Sequence, residues 1–157
     1  MNIEIERKFL VKNDAFRGES FKKSHIKQGY LNSNKKRVVR VRIIDEKAFI
    51  TIKGKSNESG TTRFEWEKEI SIEDAEKLML LTENTPIEKH RFFINHGNHI
   101  FEVDAFLGEN TGLIIAEVEL NSEEEVFKKP KWLANEVTGV VKYYNASLLN
   151  SPYTSWK

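Results

Sequence analysis

The sequence predicts a mainly β protein: an all-β core with a few peripheral helices, arranged as a barrel or a sandwich. Three features point there. Apolar and polar residues alternate with period two through most of the 157 residues, the spacing that sends successive side chains to opposite faces of a strand. Few segments carry helix-start signals. With 3 Pro and 8 Gly, no stretch has the composition of a linker, so a single domain over residues 1–157 is expected.

The elements follow in chain order. Ile3 to Val11 is the first strand, with Glu4, Glu6 and Lys8 on its polar face. Gln28 to Leu31 is a short second. Arg37 to Ile44 sets Arg40 and Arg42 against Val39, Val41 and Ile43. Asp45-Glu46 turns the chain into Lys47 to Lys53, where Lys53 shares its parity with Thr51 and Phe49. Thr62 to Ile70 places Arg63, Glu65, Glu67 and Glu69 opposite Phe64, Trp66 and Lys68. Ser71-Ile72-Glu73-Asp74 begins a helix through about Leu81 in the manner of a capping box, and its Ile72, Ala75, Leu78 and Met79 fall on one face. Lys89 to Asn95 and Asn98 to Phe106 flank a His96-Gly97 hairpin turn. They carry Lys89 and Arg91 on one strand, Glu102 and Asp104 on the other. Leu113 to Leu120 is the last long strand, with Glu117 and Glu119 opposite Ala116, Val118 and Leu120. Ser122-Glu123-Glu124-Glu125 reads as a second capping box, opening a helix that stops before Pro130, and Asn145 to Asn150 as a short last helix.

Composition removes several functions. There is no Cys, so disulfides, thiolate metal sites and a cysteine nucleophile are excluded together. Lys and Arg number 25 against 24 Asp and Glu, a net charge of +1. That balance argues against a nucleic-acid or membrane-surface binder. The N-terminus is charged from Glu4 and has no apolar signal core, so a cytoplasmic location is expected. Gly54-Lys55-Ser56 resembles the end of a P-loop, but Phe49 stands where the first Gly is needed, and a plain turn is the better reading. His25, His90, His96 and His99 lack zinc-binding spacing. Trp66, Trp132 and Trp156 read as packing residues.

Charge on one face of nearly every strand has two readings. In the first, the sheet has a wet outer face and the charges meet water. In the second, the strands close and the charges line a lumen, while the apolar face packs outward under the helices. Clustered carboxylates would then resist ionisation unless cations were bound, and oxygen donors suit hard ions such as Mg²⁺ or Mn²⁺. Arginines and lysines would call for an anion, and the arginine fork matches phosphate oxygens. A lumen holding both sets suits a metal-bound polyphosphate.

The series of motifs resembles the CYTH-domain proteins, also called triphosphate tunnel metalloenzymes. Glu4-Ile5-Glu6-Arg7-Lys8 matches their opening Glu-x-Glu-x-Lys signature. Gln28-Gly29-Tyr30-Leu31, Arg40-Val41-Arg42, Thr51-Ile52-Lys53 and Arg63-Phe64-Glu65-Trp66-Glu67 follow in the family's order. So do Glu88-Lys89-His90-Arg91, Phe101 to Phe106, Ala116 to Leu120, Glu136-Val137-Thr138 and Tyr143-Tyr144-Asn145. Each motif alone is weak, but the ordered series spans essentially the whole chain. One departure is Gly139-Val140-Val141, where relatives often carry charged residues.

The resemblance implies an eight-stranded antiparallel closed barrel forming a tunnel with a charged lumen. It implies a divalent-metal-dependent triphosphatase, similar to the small bacterial inorganic tripolyphosphatases, that cleaves the terminal phosphate of inorganic tripolyphosphate or related triphosphates. Lys8, Arg40, Arg42, Lys53, Lys89 and Arg91 would cradle phosphate oxygens, with Tyr30 shaping the tunnel. Lys8, Lys53 and Lys89 would take part in catalysis, Lys53 or Lys89 at the leaving phosphate. Glu4, Glu6, Glu117 and Glu119 would hold Mg²⁺ or Mn²⁺, with Asp104, Glu65 and Glu67 as further ligands or water-orienting groups. The expected partner is a small-molecule triphosphate, with no nucleic acid and no membrane, and the chain a monomer or homodimer. Two other functions fit the same residues: an adenylate cyclase making cyclic AMP from ATP, and a non-catalytic module that binds polyphosphate or nucleotide. No adenine-reading motif is visible, and simple anion binding needs no acidic set; both points favour hydrolysis.

Overall fold

A computed structural model describes residues 3–156; Met1, Asn2 and Lys157 of the expected 1–157 domain lie outside the described residues. Its strands are β1 (Ile3–Val11), β2 (Lys22–Asn32), β3 (Arg37–Ile44), β4 (Lys47–Gly54), β5 (Thr62–Ile70), β6 (Glu83–His96), β7 (His99–Phe106), β8 (Ile114–Glu119) and β9 (Leu133–Glu136). Hydrogen bonding runs β5-β4-β3-β2-β6-β7-β8-β1, and β1 returns to β5. Eight antiparallel strands therefore close into a barrel. The seam is short: Ile3 pairs with Phe64, Glu4 with Arg63 and Ile5 with Thr62. Further along β1, Phe9 and Val11 pair with β9, which adds a ninth strand outside the closed ring.

Strand parity places the charged face inward. Cα partners share a face, so the pairs Lys8–Glu117, Glu102–Glu117, Arg91–Asp104, Arg40–Thr51 and Lys53–Glu65 all look into one lumen. The opposite parity packs outward and must be covered. Phe9, Phe92, Ile94, Phe101, Val103, Ala116 and Val118 form one outer core, closed by Phe16, Trp132 and Leu133. Phe16 comes from α1 (Ala15–Glu19), and the Trp132 indole donates to Glu19 Oε1 at 3.0 Å. A second outer core joins Val41 and Ala48 to Ala75 and Met79 of α2 (Ile72–Met79). That helix starts as its sequence requires, with the Asp74 amide donating to Ser71 Oγ at 3.0 Å, a cap contributing about 1 kcal/mol.

A third core lies inside the barrel. Tyr30, Val38, Ile87, Phe106, Leu113 and Ile115 have the same parity as the charged residues, and they surround Leu148. Leu148 arrives on the C-terminal segment, which leaves β9 and folds as 3-10 turns at Val141–Tyr143, Asn145–Leu149 and Tyr153–Ser155. Tyr143, Leu149, Tyr153 and Trp156 extend the packing. The chain thus plugs one end of its own barrel with apolar side chains. On the way it crosses the β4–β5 loop at Gly139, whose φ of 76° faces Gly60 at 78°. A Cβ on Gly60 would overlap the Gly139 Cα. Gly139 is therefore needed for a backbone crossing.

Three strands have the expected ends: Ile3–Val11, Arg37–Ile44 and Thr62–Ile70. β2 begins six residues before the expected Gln28; there Ser24 and Ile26 take the lumen face while Lys23 and Lys27 face outward, reversing the polarity of its neighbours. β6 begins at Glu83 in spite of Pro86. α1 and β9 were not expected, and the last helix is a 3-10 turn. The helix expected after Ser122 does not form. Its glutamates are engaged elsewhere: Glu123 accepts from Asn57 and Thr62, and Glu125 accepts from the Asn121 amide. Val126 is 88% exposed, so such a helix would have had little apolar face to bury.

Gly60→Ala is expected to destabilise the protein by more than about 1 kcal/mol, because positive φ and the Gly139 backbone both oppose a side chain. Urea unfolding monitored by tryptophan fluorescence checks this. A midpoint unchanged from wild type would mean the crossing is not held as described.

Candidate active site

The lumen encloses a cavity of about 460 Å³, within the usual range for small-molecule sites. All eight strands of the ring and the C-terminal segment line it. Glu4, Glu6 and Lys8 come from β1, Tyr30 from β2, Arg40 and Arg42 from β3, Thr51 and Lys53 from β4, and Arg63, Glu65 and Glu67 from β5. β6 contributes Lys89 and Arg91, β7 Glu102, β8 Glu117 and Glu119, and the C-terminal turns Tyr144, Asn145 and Ser147. Of the residues the sequence analysis singled out, only Asp104 is absent from the wall. It shares the lumen parity but is 2% exposed, engaged on both oxygens by Arg91 and Lys89.

Asp104 is the counter-ion of the β6 cations. Arg91 donates to both its oxygens, Nε to Oδ1 at 2.7 Å and Nη2 to Oδ2 at 2.9 Å, and Lys89 Nζ stands 2.7 Å from Oδ2. Burial alone would raise the Asp104 pKa; Arg91 and Lys89 outweigh it and hold the carboxyl at about 2. Arg91 reaches on to Glu102 at 3.2 Å and Glu117 at 3.5 Å. On the opposite wall Lys53 Nζ lies 2.9 Å from Glu4 and 3.4 Å from Glu65. Lys8 Nζ lies 3.4 Å from Glu117 and 3.9 Å from Glu6. Its ammonium also sits 5.1 Å from the Tyr144 ring centroid, a cation–π contact.

Two groups of side chains remain poorly compensated, and they have opposite sign. Arg42 has no carboxylate within ion-pair distance among the described residues; its Nε donates only to the neutral Gln28 Oε1 at 3.2 Å. Burial, then Arg40 and Arg91, disfavour its charge. A guanidinium nevertheless stays protonated at working pH, so the surplus is positive charge seeking an anion. Arg40 leaves its Nε without a hydrogen-bond partner among the described residues, while its Nη2 donates to Thr51 Oγ1 at 3.2 Å. On the acidic side, burial together with Glu117 and Glu4 pushes Glu6 up to about 8. Burial also raises Glu119, Glu65 and Glu102, with neighbouring carboxylates adding to it. Besides Asp104, Glu4 and Glu117 are held low, where Lys53 with Arg63, and Lys8 with Arg91 and Lys89, respectively outweigh burial.

The donor set suits a hard divalent ion. It is all oxygen, and its carboxylates crowd one another until protonation is favoured, which a cation would reverse. Among the described residues no three acidic or histidine side chains stand ready-grouped around one point; Glu4, Glu65 and Glu117 are turned to lysines. Lys8 and Lys53 would have to share these carboxylates with an ion. Gln28, Arg63, Glu102, Tyr144 and Asn145 were not among the assigned site residues. Arg63 and Glu102 had the right strand parity. Tyr144 and Asn145 lie on a turn segment, where no periodicity exists to mark a face.

The CYTH domain family model matches residues 2–150. An inorganic triphosphatase of Acetivibrio thermocellus is 43% identical over 158 residues, covering 100% of this chain and 99% of its own. An inorganic triphosphatase of Nitrosomonas europaea is 34% identical over 149 residues, covering 92% of this chain and 95% of its own. The solved structure of the inorganic triphosphatase NE1496 superposes with a TM-score of 0.67 at 33% identity, over 94% of this chain and 95% of that one. The Hippeastrum protein HpAC1, described as an adenylyl cyclase candidate with a dominant triphosphatase activity, shares the fold at 15% identity and a TM-score of 0.62, covering 77% of this chain and 81% of that one.

Asp104→Asn removes the one carboxylate that neutralises Arg91 and Lys89 together, and should cost about 3–5 kcal/mol in urea unfolding with chelator present. The folded Asp104 pKa of about 2 lies below the unfolded value of ~3.9. Its stabilisation is therefore complete above that unfolded value and is lost as pH falls towards 2. Wild type should weaken through this window, and the variant should lack that part of the loss. Equal acid sensitivity in both would remove Asp104 from this role.

Proposed function

The chain belongs to the CYTH domain family, and on that premise we propose that it is a metal-dependent hydrolase taking the terminal phosphate from inorganic tripolyphosphate. The single observation that carries this is the pairing of surpluses in one cavity: Arg42 has no carboxylate within ion-pair distance among the described residues and Arg40 meets Glu67 only at 3.8 Å, while Glu6, with Lys8 no nearer than 3.9 Å, and Glu119 resist ionisation. A metal-bound linear polyphosphate brings both. The full-length likeness to two inorganic triphosphatases supports the same substrate class.

In the reaction, a water oxygen bonds to the terminal phosphorus, the bond from that phosphorus to the bridging oxygen breaks, and pyrophosphate leaves. Arg40, Arg42, Arg91 and Lys8 hold phosphate oxygens and stabilise the charge that moves onto them. Lys53 and Lys89 stand on opposite walls, each able to meet a bridging oxygen. Lys89 suits the leaving oxygen. Burial, only partly offset by Asp104, brings its pKa down to about 7, so at neutral pH it can give up a proton. Glu65 or Glu67 orients the attacking water, and Thr51 fixes Glu67 with a 2.8 Å hydrogen bond. Glu4, Glu6, Glu117 and Glu119 would hold a Mg²⁺ or Mn²⁺ ion, which would supply neutralising positive charge at the phosphoryl oxygens; Asp104, expected as a further ligand, is instead engaged by Lys89 and Arg91. Tyr30 narrows the lumen beside Arg40, its strand partner.

The test offers purified protein tripolyphosphate, ATP and thiamine triphosphate with Mg²⁺ or Mn²⁺, and measures phosphate, pyrophosphate and cyclic AMP. Phosphate and pyrophosphate from tripolyphosphate are expected, with turnover abolished by chelator. Cyclic AMP from ATP would establish the cyclase instead, and binding without any product would leave only a binding module. Arg42→Ala should raise KM by about 10-fold or more, since a charge-assisted contact to an anion is lost. Glu4→Gln and Lys8→Ala should each lower kcat strongly while the circular dichroism spectrum stays that of wild type.

A further inference from the structure

Asn145 enters the lumen from the C-terminal turns and places one oxygen between two buried donors. Its Oδ1 accepts from Lys89 Nζ at 2.8 Å and from Gln28 Nε2 at 2.8 Å. Gln28 is 0% exposed and Lys89 1%. Gln28 in turn accepts from Arg42 Nε at 3.2 Å. A chain of neutral amides thus links the least compensated arginine to the most buried lysine, across strands that do not pair with the C-terminal segment. Two donors on one oxygen also fix which end of the Asn145 amide is which. Its Nδ2 has no hydrogen-bond partner among the described residues, and Asn145 lines the cavity.

We propose that Asn145 is a positioning residue for Lys89. The role rests on the hydrolase reading above for its consequence in turnover, but not for the geometry. An ammonium has three protons. Asp104 Oδ2 takes one at 2.7 Å and Asn145 Oδ1 takes a second. Two fixed acceptors leave the third proton with a single direction, on the side of the cavity that Lys89 lines. Without Asn145 the ammonium retains only Asp104, which Arg91 already engages, and is drawn back into the wall beside Phe106, whose ring centroid is 5.2 Å away. A neutral acceptor suits this place. A carboxylate would hold Lys89 equally well but would add negative charge where an anion binds.

The test compares Asn145→Ala and Asn145→Asp. In protein labelled with ¹⁵N-lysine, Lys89 should give a slowly exchanging ammonium signal, assigned by its loss in Lys89→Met. The signal should disappear or shift in Asn145→Ala and persist in Asn145→Asp, which keeps the acceptor. With tripolyphosphate, Asn145→Ala should lower kcat by between about 10- and 100-fold, the cost of a misplaced catalytic group, with KM changed less than about 3-fold. Asn145→Asp should recover most of kcat and raise KM. A Lys89 signal indifferent to Asn145→Ala, or a loss confined to KM, overturns the proposal. If wild type hydrolyses no triphosphate, the function assigned above falls, while the ammonium signal still decides the positioning. If Asn145→Ala does not fold, an absent Lys89 signal in folded Asn145→Asp is the overturning result.

Discussion

Three residue pairs close this barrel, and the chemistry of its interior depends on them. Were the Ile3–Phe64, Glu4–Arg63 and Ile5–Thr62 pairs open, the charged face would be one side of a sheet. Exposed ion pairs of that kind contribute little. Closed, the same side chains confront one another across an enclosing cavity, where Coulomb interactions are stronger than on an open surface. The consequence is visible in two carboxylates. Glu6 is driven up to about 8 and Asp104 down to about 2, although desolvation raises both. What separates them is the sign of their neighbours. The seam also contributes its own pair, with Arg63 Nε 3.7 Å from Glu4.

Strand parity carried most of this into the sequence. Arg40, Arg42, Lys89, Arg91, Glu117 and Glu119 could be placed on one face because period-two alternation survives wherever the outer face is apolar. It fails where the polarity inverts. Ser24 and Ile26 point inward while Lys23, His25 and Lys27 point out, so the first half of β2 reads as a wet segment. Whether the charged face turned inward was not decidable from alternation; the ordered motifs settled that. The C-terminal segment was legible as a short helix over Asn145 to Asn150 and as the Tyr143-Tyr144-Asn145 motif, but its entry into the lumen was hidden for a different reason. Leu148 and Asn145 sit on 3-10 turns with no face to repeat, and the capping-box glutamates after Ser122 are used by side chains far away in sequence. Local rules describe a segment's own preferences, and these segments are governed by what they touch.

The lumen's charges are not paired off to neutrality, and the imbalance has a pattern. Cations of β6 and β4 own carboxylates: Lys89 and Arg91 hold Asp104, and Lys53 holds Glu4. Those of β3 do not. Acids on β8 and β1 divide likewise, Glu117 satisfied by Lys8 while Glu6 and Glu119 resist ionisation. A protein selected for stability alone would gain by removing such groups, since desolvation of unpaired charge is costly. Keeping uncompensated groups of both signs within one cavity makes sense for a ligand that is itself a pair of opposite charges. Its arrival would relieve both sets at once, so the strain of the free protein becomes affinity for that ligand.

The apolar plug belongs to the same logic. Tyr30, Ile87, Phe106, Leu113 and Ile115 have lumen parity yet carry no charge, and Leu148 fills the space between them. They leave one end of the site with a floor that water does not reach. Electrostatic stabilisation of a reacting phosphate is largest where donors are fixed in advance and solvent cannot compete. Both conditions come from the same segment. Leu148 excludes water, and three residues earlier Asn145 hydrogen-bonds Lys89, one residue after the Tyr144 ring meets Lys8. The segment that leaves the barrel at β9 thus returns to its centre at Lys8 and Lys89, and the Gly60–Gly139 crossing lies on that path.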